Sequence, residues 1–447
     1  MATDERGLHL STDSADAAEA FDAAMRSFFA WRRDVMQHLG RALEADPGFV
    51  LAHALKGLFL CGMRQPAAYP MAREGLAAAK RGEAGCSDRE RAYVVALEAT
   101  LDGDLFRAVN CFEEIIAAHP LDLIAIRLGQ MELFWLGEVA WARDVTGRPA
   151  AAWSEAVPGY AAFLGVRSFA LEETGDFEGA ERLGRRSIEL DPGDCQAAHA
   201  VAHVLEMEGR LDDGVEWLDG LKDNWAEANH IVHHLWWHRC LFESERGNHA
   251  GALETYDRFV RDPSSPLIQA MSNFFTDMQN CAALLARLEM RGIDVGGRWE
   301  AVADDYESWI GNHTSALTSP HCALVFAATG RDAKLDELMA ALREFAAADR
   351  GALGPRFAVA VIPAAEAAVA YQRGDYQGVL DSLLPARRLL WQMGGSHAQR
   401  DLFFQIMAYA AAQLGRADLL AILLDDVRSI GFAQVDQRAS YADVAAA

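Results

Sequence analysis

The chain has 447 residues, which is enough for several compact domains or for one extended repeat array. Hydrophobic residues make up 51% of it, so a large buried core can form and a disordered chain is excluded. With 65 acidic against 41 basic residues the formal charge is -24, and such a surface repels the phosphates of nucleic acids and anionic membranes.

The seven cysteines are odd in number and scattered, with no C-x-x-C pair. This pattern favours reduced thiols over a disulfide framework or a cysteine zinc site. The first residues are acidic and lack the basic and apolar regions of a signal peptide. No uninterrupted apolar run approaches the ~18 residues of a membrane span. We therefore expect a soluble cytoplasmic protein with neither nucleic acid nor membrane as a partner.

Alanine, leucine, glutamate and arginine recur at three- and four-residue spacing along the chain, interrupted by Gly-Asp, Gly-Arg and Asp-Pro turns. Strand signals, such as alternating β-branched residues and Asn-Gly turns, are nearly absent. The sequence therefore predicts an all-α fold.

A repeating pattern of small residues and turns becomes clear from residue 89 onward. In the copies that contain Gly103 and Gly175, an alanine follows the glycine after five residues and a proline after seventeen. Gly175 and Gly209 are 34 residues apart, which is one tetratricopeptide period. The clearest predicted repeats lie near 89–122, 161–194, 195–226 and 233–264, and weaker ones near 316–347, 360–390 and 401–432, with turn glycines at Gly247, Gly330, Gly374 and Gly415 in the later copies.

This repeat pattern predicts a tetratricopeptide-repeat-like α-solenoid. Small residues let paired helices approach closely, and the proline stops the second helix of each pair. We predict one continuous right-handed superhelix of helical hairpins over residues 1–447, which encloses a central groove or cavity.

Four longer segments carry a more specific resemblance. They read HAVAHVLEMEGRLDDGVEWL, HHLWWHRCLFESERGNHAGALETYD, DMQNCAALLARLEMRGIDVGGRW and GGSHAQRD. In these segments, and nearly end to end, the chain resembles the tetratricopeptide repeat protein 38 family. The resemblance implies one continuous superhelix rather than separable domains, and it implies no established reaction.

The stretch HAVAHVLEMEGR places His199, His203 and Glu206 on one stripe of a helix. With Gly209 at the turn position of a tetratricopeptide repeat, the packing positions are all apolar and these three residues fall on the wall of the concave groove. The packing positions are Ala198, Val201, Ala202 and Leu205. Ordinary core histidines are the alternative interpretation.

The next repeat adds His234 and Trp237 at groove positions and His238 on the flank of the groove. His234 and His238 match an H-x-x-W-H element of the family that the chain resembles. His233 is an extra histidine, and we expect His230 to be exposed near a helix end, as we do His249. The alternative is that these Trp and His side chains only pack between repeats.

Further candidates lie downstream. His321 falls on the groove flank, and Asp277 lies early in a long helix, where it either complements the helix dipole or offers a carboxylate to the groove. His397 lies in the GGSHAQRD motif, in which it or Ser396 could cap the following helix. Arg400 either pairs with the adjacent aspartate or contacts an anionic ligand. The segment after Phe432 is expected either to cap the chain or to fray.

These residues support two hypotheses on function. In the first, the groove binds a small molecule and acts on it by general acid/base chemistry, with hydrolase- or lyase-type reactions as the first expectation. The predicted catalytic residues are His203, His238, His321, His397 and Asp277, and the predicted substrate-binding residues are His199, Glu206, His234, Trp237 and Arg400.

A divalent metal is an optional cofactor of this site, with His199, His203, His234 and His238 as its candidate ligands. No single spacing is diagnostic, since H-E-x-x-H, G-x-S-x-G and phosphate-loop motifs are all missing. The second hypothesis is a non-catalytic scaffold that binds a peptide or protein partner. A homodimer through the C-terminal helices is a further option under either hypothesis.

Overall fold

The structure is a computed structural model that describes residues 2–349 and 351–446, with side chains as far as residue 442. Nearly every regular element in it is a helix, so the predicted all-α fold is confirmed. The two strands, β1 (Ala2–Thr3) and β2 (His9–Leu10), pair antiparallel with Ala2 opposite Leu10. Among the described residues, no helix combines the length and the hydropathy that a membrane crossing requires.

The described residues divide into two compact units. The first unit covers Met1–Phe134, Glu138–Val201 and Asp223–Asn229, and the second covers Trp135–Gly137, Ala202–Lys222 and His230–Ala447. The predicted single superhelix over residues 1–447 stays a prediction.

The first unit contains ten helices within the described residues, joined by short turns. They are α1 (Ala15–Phe29), α2 (Val35–Ala45), α3 (Val50–Gly62), α4 (Tyr69–Gly82), α5 (Asp88–Leu101), α6 (Leu105–Ala118), α7 (Leu123–Trp135), α8 (Val139–Gly147), α9 (Tyr160–Glu172) and α10 (Phe177–Leu190), with 3-10 helices at Pro66–Ala68, Glu83–Gly85 and Arg148–Ala152. Consecutive helices pack in pairs, α1 on α2, α3 on α4, α5 on α6 and α9 on α10.

The boundary between the units falls within α11 (Cys195–Met207), and a 3-10 helix at Lys222–Asn224 also crosses it. The helices of the second unit are α12 (Leu211–Leu221), α13 (Ile231–Glu245), α14 (His249–Thr255), α15 (Pro266–Ala270), α16 (Phe275–Met290), α17 (Arg298–Tyr306), α18 (Thr318–Ala328), α19 (Asp332–Ala348), α20 (Gly354–Arg356), α21 (Ile362–Gln372), α22 (Tyr376–Ala386), α23 (His397–Gln413), α24 (Ala417–Ser429) and α25 (Ala439–Ala446). It also has 3-10 helices at Glu307–Trp309, Arg387–Met393 and Val435–Gln437, and π-helices at Tyr256–Val260 and Phe357–Val361.

Helix α16 is the central helix of the second unit. It packs on α13, α18 and α23, and its side chains from Phe275 to Leu288 are buried except Thr276. Because this helix is enclosed by other helices, its polar residues lie in the interior. These residues are Asp277, Gln279, Asn280 and Arg287.

The predicted turn glycines all end a helix in the left-handed region. At Gly209, φ is 71°, and the N–H of the next residue, Arg210, donates to the carbonyl of Leu205 over 2.8 Å. This is the pattern of a Schellman cap, which favours glycine because a Cβ atom is strained at positive φ. The predicted turn glycines have φ between 63° and 83° and are Gly103, Gly175, Gly209, Gly247, Gly330, Gly374 and Gly415.

The residue after several of these glycines starts the next helix. The Asp176 side chain accepts a hydrogen bond from the Gly179 N–H, and Asn248 accepts one from Gly251 in the same way. Such N-caps satisfy a backbone donor that the helix itself leaves open. A glycine cap followed by an Asp or Asn cap therefore makes the tight hairpins that place successive helices side by side.

All seven cysteines are buried and free, as the sequence predicts. They pack as small apolar side chains, and burial raises the pKa of the Cys61 thiol to about 12. The thiols are therefore protonated and unreactive at neutral pH.

Candidate functional site

Helix α13 and the part of α11 that belongs to the second unit bring three histidines and a glutamate together. Helix α11 carries His203 and Glu206, three residues apart, and helix α13 carries His234 and His238, four residues apart, so each pair lies on one face of its helix. His203 and His238 have no exposed surface, and His234 and Glu206 are 5% and 4% exposed. We call these four residues the histidine centre.

A carboxylate–imidazole bond joins the two helices. Nδ1 of His238 lies 3.0 Å from Oε2 of Glu206. The ring of His238 lies 4.4 Å from that of His203 and 4.8 Å from that of His234, measured between centroids. One ring nitrogen of each histidine can be chosen so that all three lie within 4.8 Å of one another.

The neighbouring groups set the tautomers of these rings. Nδ1 of His234 lies 2.8 Å from Oδ1 of Asn280, and an amide oxygen can only accept, so His234 donates through Nδ1. The same reasoning applies to His238 when Glu206 is ionised. Both neutral rings then carry the basic lone pair on Nε2.

Burial keeps the three imidazoles neutral. It lowers the pKa of His203 and of His238 well below the usual range, with the neighbouring histidines adding to the effect, and it lowers the pKa of His234 to about 4. Burial also raises the pKa of Glu206 to about 7, against the opposing charges of Arg438 and Arg287. A neutral imidazole beside a carboxyl that titrates near neutrality is suited to proton transfer.

A second cluster forms around Asp277, which is fully buried in the first turn of α16. Its Oδ2 atom lies 2.7 Å from Nδ1 of His230 and 2.9 Å from Nδ1 of His233. Burial acts to raise the pKa of Asp277, but these two histidines outweigh it and lower the pKa to about 2. We call these three residues the Asp277 cluster.

This cluster corrects the expectation for His230. The sequence places it in solvent near a helix end, whereas the structure half-buries it against the Asp277 carboxylate, with its ring stacked on Phe274 at 4.3 Å. The physical reason is that a buried carboxylate requires donors, and the residues just before and within the first turn of α13 supply them. His249 is likewise half-buried rather than exposed.

Trp237 and Arg287 lie beside the histidine centre. The Trp237 indole stacks on the His234 ring at 5.1 Å, and Cζ of Arg287 lies over the indole, 5.6 Å from its centroid. Arg287 donates to the carbonyl oxygens of Ala283 and Ala398 over 3.2 and 2.7 Å. Its position also makes it one of the charges that lower the pKa of His238 and of His321.

His321 and His397 lie on two further helices of the second unit. His321 in α18 is buried, donates from Nδ1 to the Leu317 carbonyl over 2.7 Å, and has its pKa lowered to about 4 by burial. His397 begins α23 and is half-buried. It and Arg400 are close enough to His203 to contribute to the lowering of the pKa of that residue.

The GGSHAQRD motif is explained first by helix capping. Ser396 accepts from the Gln399 N–H, and the Gln399 side chain accepts from the Ser396 N–H, which makes a capping box. Arg400 donates to the carbonyl oxygens of Gly394 and Gly395. Oδ2 of Asp401 pairs with the guanidinium of Arg438 over 3.4 Å. The capping alternative is therefore confirmed for Ser396.

The segment after Phe432 packs as a cap on the second unit. Its Arg438 is buried and contacts the carboxylates of Asp401 and Glu245, and its Tyr441 donates to Asp401. Arg438 is also the first of the charges that hold down the pKa of Glu206. A residue far from the predicted motifs thus helps to set the charge of the histidine centre.

His199 lies in the part of α11 that belongs to the first unit. It is buried, and its ring lies 5.0 Å from the ring of Phe169. The four predicted packing residues of the same helix are buried as well, at 0–1% exposure. The helix is therefore enclosed on both of its predicted faces.

Several members of the site were not predicted from the sequence. They are His230, His233, Asn280, Arg287 and Arg438, which surround the predicted residues with hydrogen bonds and charge. A signal for two of them exists in α16, where Asp277, Asn280 and Arg287 fall on one stripe of an otherwise apolar helix.

Comparison with known proteins adds little to this geometry. No family model matches the chain. A solved structure, that of Naa15/Naa10 bound to HypK-THB, is similar with 13% sequence identity and a TM-score of 0.26. The match covers 96% of this chain and 65% of the length of that chain. A likeness at this level carries no argument about function.

Proposed function

We propose that the second unit binds a small molecule at the histidine centre and transfers protons to or from it. In this proposal His238 is the general acid/base and Glu206 is the residue that orients it. The observation that carries the proposal is the 3.0 Å bond between these two side chains, both buried, with two further imidazoles beside them. Ionisable groups are costly to bury, and such arrangements are concentrated at functional sites.

The chemistry follows from the tautomer that Glu206 selects. With Nδ1–H held by the carboxylate, Nε2 of His238 carries the lone pair that can accept a proton from a bound molecule. The positive charge that then forms on the ring is compensated by Glu206. This is the division of work between base and orienting carboxylate that acid/base enzymes use in general. His203 and His234 would bind and orient the same molecule.

The residues also fit a divalent metal as an optional cofactor. His203, His234 and His238 would hold it through ring nitrogens, and the bonds from His234 to Asn280 and from His238 to Glu206 are the kind of outer contacts that orient metal-binding histidines. A bound metal of this type polarises a substrate or activates water.

The test is the small-molecule and metal content of the purified protein. Native mass spectrometry and elemental analysis would compare the wild type with His238→Gln and Glu206→Gln, with His119→Gln as the control in the first unit. We expect a bound molecule or metal in the wild type and in the control, and its loss from the two site variants with helical content unchanged. Equal ligand content in all four proteins would overturn the proposal.

The alternative function is a scaffold for a peptide or protein partner. Under that function the histidine centre is only part of the core, so the two site substitutions would change stability and leave ligand content unaltered. A cytoplasmic location and a homodimer stay predictions under either function.

A further inference from the structure

Arg287 is a buried cation that no carboxylate of the described residues contacts. Its side chain lies on the central helix α16 and is 4% exposed. Among the described residues its side chain donates to two backbone carbonyls, and no acidic oxygen lies within the 4.0 Å of an ion pair. A buried charge without a counter-ion is unusual, because burial removes the water that would otherwise solvate it.

The carboxylates whose charges act on Arg287 are hydrogen-bonded to other residues. Asp401 and Glu206 are the two carboxylates that act most strongly on Arg287. Asp401 accepts hydrogen bonds from Tyr441, Gln405 and Arg438, and Glu206 is bonded to His238. Neither carboxylate therefore neutralises the guanidinium by direct contact.

Two more donors in the same neighbourhood lack an acceptor. Nε1 of Trp237 and Nδ2 of Asn280 are buried and have no hydrogen-bond partner in the part of the chain that the structure describes. The guanidinium of Arg287 lies over the Trp237 indole, and the indole stacks on the His234 ring. The His234 ring in turn is hydrogen-bonded to Asn280. Buried N–H groups are nearly always paired, so unpaired donors around an unpaired cation indicate a missing acceptor.

We infer that the molecule bound at the histidine centre is a small organic carboxylate whose anionic group pairs with Arg287. The Trp237 and Asn280 N–H groups supply further hydrogen bonds to its oxygen atoms. This inference rests on the proposed function and names its substrate class. Asn280 and Arg287 are seven residues apart on one helix, which is about 10 Å, so the ligand has the length of a short carboxylic acid with a second polar group.

A carboxylate fits this site better than phosphate. The guanidinium presents two parallel N–H donors that match the two oxygens of a carboxylate. Arg287 carries a single positive charge, and the Glu206 carboxyl is close enough to act on it. A dianion would therefore add repulsion that a single arginine does not offset.

The experiment is calorimetric titration at pH 7.5 and fixed ionic strength. The probes are propionate and 4-hydroxybutyrate, which are monoanions at this pH, their uncharged amides propionamide and 4-hydroxybutyramide, and inorganic phosphate. The proteins are the wild type, Arg287→Met, Arg287→Lys, Trp237→Phe and His238→Gln, with Arg258→Met as a control at an exposed arginine of the second unit. The phenylalanine variant keeps an aromatic face for Arg287 and removes only the indole N–H.

We expect a carboxylate to bind the wild type and the Arg258→Met control alike, and the amides and phosphate to bind at least tenfold more weakly. Arg287→Met should lose at least tenfold in affinity, Arg287→Lys should lose less, and Trp237→Phe should lose a few-fold. If Arg287→Met does not fold, the other two variants decide the question. Binding of amide and acid with equal affinity, tighter binding of phosphate, unchanged affinity in the Arg287 and Trp237 variants, or no binding at all would overturn the inference.

Failure of this inference can be told apart from failure of the proposed function. If amides and carboxylates bind equally and His238→Gln abolishes both, the histidine centre is a binding site and the anion specificity is wrong. If the carboxylate depends on Arg287 and is indifferent to His238→Gln, the anion site stands and the acid/base role of His238 is wrong.

Discussion

Oε2 of Glu206 accepts a hydrogen bond from Nδ1 of His238 over 3.0 Å, between two helices whose contributing residues are 32 positions apart in the chain. The two groups differ in their response to burial, which raises the pKa of the acid to about 7 and lowers that of the imidazole. Both groups are therefore least costly to the fold in their uncharged forms. This balance leads to predictions on how stability depends on pH.

The first prediction concerns Glu206→Gln. Burial raises the pKa of Glu206 from 4.5 to about 7, so between these values the folded protein binds more protons at this residue than the unfolded chain does. Its contribution to the free energy of unfolding therefore falls as pH rises through this range, by up to roughly 3 kcal/mol. The glutamine variant cannot ionise and should be at least as stable as the wild type at pH 8. Urea unfolding between pH 5 and 8 measures this, and a variant that is clearly less stable at pH 8 would contradict it.

The second prediction concerns His234 and the dependence of stability on pH below neutrality. Burial lowers its pKa from 6.5 to about 4, so the unfolded chain binds more protons between these values. The contribution of neutral His234 to the free energy of unfolding is therefore complete above pH 6.5. It decreases by up to about 3 kcal/mol as the pH falls towards 4, because the unfolded chain takes up the proton first. His234→Gln should unfold with a shallower pH dependence in this range. His119→Gln is the control, and parallel profiles for the two variants would rule out the assignment.

The third prediction concerns the Asp277 cluster. Asp277→Ala leaves two half-buried or buried histidines without their acceptor and should lower the free energy of unfolding by about 2–4 kcal/mol. Asp277→Asn keeps one acceptor oxygen and should lose less. Asp336→Asn, at an exposed aspartate of α19 in the same unit, is the control and should change stability by under ~0.5 kcal/mol. Chemical denaturation at pH 7 gives the comparison, and equal losses for the alanine and control variants would refute it.

The fourth prediction concerns two glycines at a close backbone approach. Gly137 and Gly394 have φ of 77° and 69°, and a Cβ atom on either would overlap the carbonyl oxygen of Trp391 or Trp135 respectively. Gly415 has φ of 65° with open space around it. Gly415→Ala should therefore cost only the ~1 kcal/mol of the backbone conformation, whereas Gly394→Ala should cost clearly more. Thermal unfolding tests the difference, and equal melting temperatures for the two variants would count against the close approach.

The local features of the fold could be predicted from the sequence. The turn at Gly209 and the N-cap at Asp176 depend on residues within about one helical turn, so spacing and residue type are sufficient to recognise them. The common face of His203 and Glu206 follows from helical geometry in the same way. These features needed no knowledge of which helices pack together.

The partners of the site residues could not be predicted, because they depend on how helices pack. Asp277 and Glu206 were both predicted members of the site, but the sequence does not give their partners: Asp277 binds His230 and His233, and Glu206 binds His238. Spacing alone does not give the angle or the offset between α13 and its neighbours. Arg287 could have been noticed as a charge on the apolar helix α16, but its role depends on Trp237 from another helix.

The position of Arg438 has a consequence for the order in which the protein is made. Arg438 contacts Glu245, which precedes it by 193 residues (438 minus 245), and Asp401. At ~5–20 residues per second, roughly 10–40 s of translation separate Glu245 from Arg438. During that interval the nascent chain carries acidic side chains of its interior without this counter-ion. The interior of the second unit can therefore reach its final charge balance only after residue 438 has left the ribosome.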